Sequence, residues 1–268
     1  MSKDHTSLPD IQSQSDDRNI PLDRVGVKGL RWPVTVLDRA RGTQSTVATV
    51  NLSVNLPHNF RGTHMSRFVE VLADYRGELH WADCMGDILR RIRENLDAEE
   101  AHMEVEFDYF IEKKAPVSGL SGFMSYTCRF LASWRNGEDF VLSVAVPVIT
   151  LCPCSREISD HGAHNQRCTV TVQVRFREMV WIEDIVELVE ESSSGGLYPI
   201  LKRPDEKHVT EYAYDHPMFV EDVVREVAMK LDRLDAVTWY AVDAESQESI
   251  HNHNAFARVE RDKSSDGA

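Results

Sequence analysis

No apolar run in this chain approaches the length of a membrane span, and its first residues, MSKDHTSLPD, lack the apolar core of a signal peptide. Positive charge is also scarce. Thirty Lys and Arg face 44 Asp and Glu, a formal charge of −14. That balance argues against nucleic acid or an anionic membrane as partner, since both want a basic surface. It leaves room for a small anionic ligand wherever basic groups cluster locally. Five cysteines in 268 residues are too few for a disulfide framework. The expectation is a cytoplasmic protein with reduced thiols.

A hydrophobic content of 42% is that of a globular chain able to bury one large core or two packed modules. Residues 1–17 and 262–268 are polar and read as disordered tails. The stretch IPLDRVGVKGLRWPVTVLD leads into a strand-like run, and residues 46–57 supply a second after a short polar turn. Phe68, Val71, Leu72 and Tyr75, then Met85, Ile88, Leu89, Ile92 and Leu96, fall at helical spacing. Met103, Val105, Phe107, Tyr109 and Ile111 alternate with mostly polar residues, the period of a strand with one buried face. Residues 121–135 and 139–151 continue as strands around an Asn-Gly turn.

From residue 151 the order repeats. Val170, Val172, Val174 and Phe176 alternate, and Ile182, Ile185, Val186 and Val189 return to helical spacing. A loop containing SSSGG and KRPDEK precedes a helix with Val220, Val223, Val224, Val227 and Leu231, and residues 236–246 and 254–260 close as strands. The class is therefore α+β, with antiparallel strands and segregated helices, divided into modules over 18–150 and 151–261.

The chemistry concentrates in LCPCSREISDHGAHNQR, residues 151–167, which places Cys152, Cys154, His161 and His164 within thirteen residues. Thiolate and imidazole are preferred ligands of borderline-soft ions such as zinc. An extended Cys-Pro-Cys would point both sulfurs to one side. Buried, inert cysteines are the competing explanation. Four further groups stand out, each with an ordinary structural alternative. Glu206, in LKRPDEK, reads as a solvated loop carboxylate. Glu221 opens a helix, where a negative charge suits the helix dipole. His251 and His253 occupy a hairpin between the last strands, and imidazole is the usual acid–base group at neutral pH. His64 and Arg67, with Arg61, surround a helix start that Ser66 would cap, while Lys202, Arg203 and Lys207 form a second basic cluster. Either cluster offers a local positive field to phosphate.

Residues 151–167, together with GTHMSRF, LKRPDEK, FVEDVVREV and SIHNHNAFA, closely resemble the type IB GTP cyclohydrolases. The resemblance runs from about residue 18 to residue 260. The central motif differs at Arg156 and His161, where the family has Lys and Tyr. The resemblance implies the tunnelling fold, two similar modules per chain assembled as a homotetramer with active sites between subunits. It implies conversion of GTP and water to 7,8-dihydroneopterin triphosphate and formate, the first step towards tetrahydrofolate and, in some bacteria, queuosine precursors.

It further implies one divalent metal per site (Mn2+, Zn2+ or Fe2+) held by Cys152, His164 and Glu206. Glu221 corresponds to the glutamate that grips the purine edge, and His251 or His253 to the proton shuttle. Cys154 becomes a further catalytic candidate. His64, Arg67, Lys202 and Arg203 are expected to contact the triphosphate. Two rivals stand beside this reading: the nitrile reductase of queuosine synthesis, which shares the fold, and a non-catalytic metal- or nucleotide-binding module.

Overall fold

A computed structural model describes residues 12, 14–75 and 81–265. They form two compact units interleaved along the chain. The first comprises residues up to Leu37, Ser45–Val105 and Phe130–Phe140; the second comprises Asp38–Gln44, Glu106–Arg129 and everything from Val141. This differs from a single cut at residue 150. The reason is strand length. A strand of 14 residues, as here, rises about 46 Å, enough to contribute to two cores.

The first unit holds most of β1 (Leu22–Asp38) and β2 (Gly42–Leu56), then α1 (Met65–Asp74) and α2 (Trp81–Leu96). It also takes the start of β3 (Ala101–Lys114), the end of β4 (Ser121–Trp134) and the start of β5 (Glu138–Leu151). Ala48, Val50, Leu52 and Val54 point one way along β2 and are buried, as are Phe68, Val71 and Leu72 of α1 and Met85, Ile88, Leu89 and Ile92 of α2. The two periodicities read from the sequence thus meet in one core. At α1 the cap differs from expectation: His64 is the N-cap residue, and Ser66 lies inside the helix.

Gly26 lets β1 lie close against β2. A β-carbon there would lie 2.0 Å from the Leu52 carbonyl oxygen, inside backbone that cannot move aside. Gly26→Ala is therefore expected to destabilise the fold by about 2 kcal/mol or more, the usual scale of overpacking. A thermal or urea midpoint identical to that of the parent protein would refute this close-approach argument.

The second unit contains α3 (Pro153–Ile158), β6 (Asn165–Phe176), α4 (Ile182–Glu190), β7 (Gly195–Gly196), α5 (Arg203–Asp215), α6 (Val220–Asp232), β8 (Val237–Gln247) and β9 (Ala255–Asp262). Within it β5 pairs with β6, β6 with β8 and β8 with β9, all antiparallel, and β7 adds to β5. Val144, Val146 and Val148, Val170, Val172 and Val174, and Tyr240, Val242 and Ala244 are buried in these strands. Ile185, Val186 and Val189 of α4 and Val223, Val224, Val227 and Leu231 of α6 are buried with them.

Four local expectations are corrected. Cys-Pro-Cys is not extended: Cys152 caps α3 and Pro153 opens it, because proline suits the first helical turn. KRPDEK is not a loop but the start of α5, with Pro204 again in the first turn. Residues 12 and 14–16 do not trail away: Arg61 N donates to Gln14 O at 3.0 Å, Gly62 N to Gln12 O at 3.1 Å, and Asp16 N to Asn59 O at 3.3 Å. At the other end Lys263 Nζ donates to Leu234 O at 2.8 Å from a short 3-10 turn, Lys263–Ser265. The remaining tail residues lie outside the described ones.

Candidate active site

Strand register brings the motif-bearing connections to one edge of the second unit. Leu151 at the end of β5 faces Asn165 at the start of β6, and Arg167 of β6 faces Gln247 at the end of β8. The connection carrying His251 and His253 therefore begins beside the one carrying Cys152 and His164. Leu151 itself is fixed from two sides. Its N–H donates to Ser194 Oγ at 3.0 Å, and its carbonyl accepts from Met218 N at 3.1 Å. The second bond brings the start of α6, with Glu221, to the same place.

Cys152 and His164 are neighbours: Cys152 N donates to His164 O at 3.1 Å. Cys152 Sγ accepts from Ser155 N at 3.4 Å, and Ser155 Oγ accepts from His164 N at 3.4 Å. The His164 ring is also oriented. Its Nδ1 is 2.9 Å from Gln166 Oε1, while Gln166 Nε2 donates to Thr150 Oγ1 at 3.3 Å. With the Gln166 amide oriented this way its oxygen accepts from Nδ1–H, the arrangement that turns Nε2 of a neutral ring outward as a ligand atom. This is the outer hydrogen bond that usually orients a metal-binding imidazole. Ser249 Oγ, 3.4 Å from the same Nδ1, ties the β8–β9 connection to His164.

The other cysteines separate cleanly. Cys128 and Cys168 are fully buried, and burial pushes the Cys168 thiol up to about 12 and Cys128 higher still. They are core residues, as the inert reading of cysteine requires. Cys152 is half-buried and Cys154 is exposed on α3.

Glu221 is exposed in the first turn of α6, where Asp222 Oδ2 accepts from Phe219 N at 3.1 Å and does the capping. The helix end is satisfied without Glu221, which leaves its carboxylate available to a ligand. His251 and His253 are exposed and stacked, with ring centres 5.1 Å apart and planes inclined by 18°.

Glu206 is not gathered with Cys152 and His164. Among the described residues no three His, Cys, Asp or Glu side chains converge as a metal cluster. Tyr214 links α5 to α3, its ring lying 4.8 Å from the Arg156 guanidinium. Glu206 is eight residues earlier, about 12 Å along the helix axis. The donor types nevertheless fit a divalent ion: a thiol accepting an N–H, an oriented imidazole, and an exposed carboxylate. Of the basic groups, Lys202 and Arg203 are exposed at the start of α5, while Lys207 is paired with Glu211. In the first unit, His64 and Arg67 line a cavity of about 130 Å³, and Arg67 Nη1 donates to Asn95 O at 2.7 Å. The two departures from the family motif are peripheral. Arg156 covers Tyr214, and His161 is exposed.

Comparison with known proteins decides the family. Residues 8–257 match the family model of the type I GTP cyclohydrolase folE2. This chain belongs to that family. GTP cyclohydrolase FolE2 of Syntrophus aciditrophicus is 56% identical over 254 residues, covering 94% of this chain and 99% of its own. That of Geotalea uraniireducens is 53% identical over 260 residues, covering 97% and 96%. Solved structures extend the likeness to fold alone. A hyperthermostable urate oxidase mutant from Bacillus sp. TB-90 aligns with a TM-score of 0.56 at 10% identity, covering 91% of this chain and 99% of its own. A uricase from Bacillus fastidious aligns with a TM-score of 0.54 at 7% identity, covering 93% and 94%. The architecture is the tunnelling fold.

Several residues that shape the edge escaped the sequence reading. Gln166, Ser194 and Ser249 orient Leu151 and His164, but only the strand register reveals it. Tyr198, His208 and Tyr212 line a further cavity of about 210 Å³ beside β7. Their only sequence signal is proximity to LKRPDEK.

Proposed function

We propose that this protein is a metal-dependent GTP cyclohydrolase that converts GTP and water to 7,8-dihydroneopterin triphosphate and formate, the first step of tetrahydrofolate synthesis. The observation that carries the reading is the approach of the Cys152–His164 and Glu221 segments at Leu151, with the connection that carries His251 and His253 tied to His164 through Ser249, in a chain of this family. The working form is a cytoplasmic homotetramer, and no helix among the described residues is long and apolar enough to cross a membrane.

Cys152 Sγ and His164 Nε2 are the two neighbouring ligands, and Glu206 is the third. Its exposed carboxylate, not gathered with that pair within one chain, completes the site from a neighbouring subunit. Manganese, zinc or iron, when bound, supplies Lewis-acid activation of the water that adds at purine C8. Glu221 accepts the guanine N1–H and 2-amino hydrogens, which orients the ring and selects guanine over purines lacking those donors. His251 gives a proton to each of the two imidazole nitrogens of the purine as its bond to C8 is hydrolysed, which frees formate, and moves protons again during the sugar rearrangement and ring closure. His253, stacked on it, keeps the imidazole in place. Cys154 lies two residues from Cys152 and is the second thiol of the site. Lys202 and Arg203, with His64 and Arg67, bind the triphosphate.

The shuttle role is testable. His251→Ala is expected to lower kcat for GTP by about 100-fold, within the usual range for general acid–base groups, and KM by less than about threefold. His253→Ala is expected to be milder. Equal activity of His251→Ala and parent protein, measured as formate released per GTP consumed with saturating manganese, would remove His251 from the mechanism.

A further inference from the structure

Asp205 is the most thoroughly bonded carboxylate of the second unit, and the mechanism above does not use it. It is fully buried, with 0% of its surface exposed. Its Oδ1 accepts from Val117 N and Ser118 N, both at 2.8 Å. Its Oδ2 accepts from Ser118 Oγ at 2.7 Å and from Lys202 N at 2.8 Å. No cation pairs with it among the described residues. Burial alone would raise its carboxyl, but the hydrogen bonds from Ser118, Lys202 and Val117 outweigh that and hold it well below the usual carboxylate range.

These bonds join two chain segments distant in sequence. One is the turn between β3 and β4, residues 115–120; the other is the first turn of α5. A second contact presses them together: a β-carbon at Gly122 would lie 2.8 Å from Pro199 Cγ, so glycine lets the segment leading into α5 lie against β4. The first turn of α5 carries Lys202 at the N-cap, Arg203 beside it, and Glu206 immediately after Asp205.

We propose that Asp205 is a positioning residue: by clamping the first turn of α5 to the β3–β4 turn, it sets where Glu206, Lys202 and Arg203 present their charges. The inference rests on the ligand role proposed above for Glu206. Asp205 touches neither substrate nor metal itself. It acts through its neighbour, as outer hydrogen bonds do for metal ligands.

Asp205→Asn is a selective test. The amide oxygen still accepts from Val117 and Ser118, but the amide nitrogen sets a donor against Lys202 N–H. The expected result, from calorimetric titration of manganese into metal-stripped full-length protein, is affinity weakened about tenfold with the fold intact. In a Glu206→Gln background, Asp205→Asn is expected to change manganese affinity by less than about twofold, because the group it positions is already gone. A structural role would weaken both backgrounds by the same factor, and that result overturns the proposal. So does unchanged affinity in Asp205→Asn when Glu206→Gln alone weakens binding. If Glu206→Gln has no effect, the ligand assignment has failed and the proposal falls with it, a pattern distinguishable from the other two. Should Asp205→Asn not fold, Ser118→Ala removes one of the four bonds, with an expected weakening of about two- to fivefold; no weakening there counts against the proposal.

Discussion

Replacing Cys152 by alanine is expected to lower metal-dependent formate release from GTP at least about 1,000-fold, equivalent to about 4 kcal/mol of barrier. The loss follows from removing the soft donor of the Cys152–His164 pair, without which the carboxylate and a single imidazole hold a borderline-soft ion poorly. Folding is expected to survive, because Cys152 is half-buried and its side chain makes one hydrogen bond, from Ser155 N at 3.4 Å. Cys152→Ser separates the two effects. A hydroxyl still caps α3 yet is a poor ligand for a soft ion, so activity is expected to be lost while the thermal midpoint stays near that of the parent. Bound metal, measured directly after desalting, is expected to fall with activity in both variants. Full metal content in an inactive Cys152→Ala protein would move Cys152 from holding the ion to the reaction itself.

Glu221→Gln is the second large effect. A carboxylate offers two acceptors to the two donors on the guanine edge, whereas an amide sets one of its own donors against them. Losing one charge-assisted hydrogen bond and leaving a donor unpaired is expected to lower kcat/KM for GTP by about 100- to 1,000-fold, or about 3–4 kcal/mol. Stability is expected to change little, since Asp222 rather than Glu221 caps α6 through Phe219 N. The variant is also expected to discriminate less between GTP and inosine triphosphate, which lacks the 2-amino group. If the GTP-to-inosine ratio matched that of the parent protein, Glu221 would have no part in reading the base.

The strands and most helices were legible because burial imposes a period. Met103, Val105, Phe107 and Tyr109 alternate in sequence and are buried in the structure, as are Val170, Val172 and Val174. α5 was not legible, since it has no apolar stripe: Asp205 and Ala213 are its only buried residues, and Pro204 near its start looks like a loop signal. The same ambiguity misled the reading of Cys-Pro-Cys, where Pro153 opens a helix rather than extending a strand. The motif residues themselves could be named from their types and from the family resemblance. Their arrangement could not. That Cys152 neighbours His164 depends on a backbone bond at the β5–β6 register, and that Ser249 reaches His164 depends on the β6–β8 register. The family match removes the nitrile-reductase alternative raised from the sequence. A non-catalytic metal- or nucleotide-binding module differs from the proposed enzyme in a single respect: it does not release C8 as formate, which takes the breaking of both bonds from that carbon to nitrogen.

That carbon is the place to measure. GTP labelled with carbon-13 at C8 is incubated with the purified protein, stripped of metal and then supplied with manganese, and carbon NMR follows the label. The label is expected to leave the nucleotide as free formate, one per GTP consumed, only in the metal-supplied sample and not with Cys152→Ala. Label that stays in the purine while the folded protein binds GTP and manganese would contradict it.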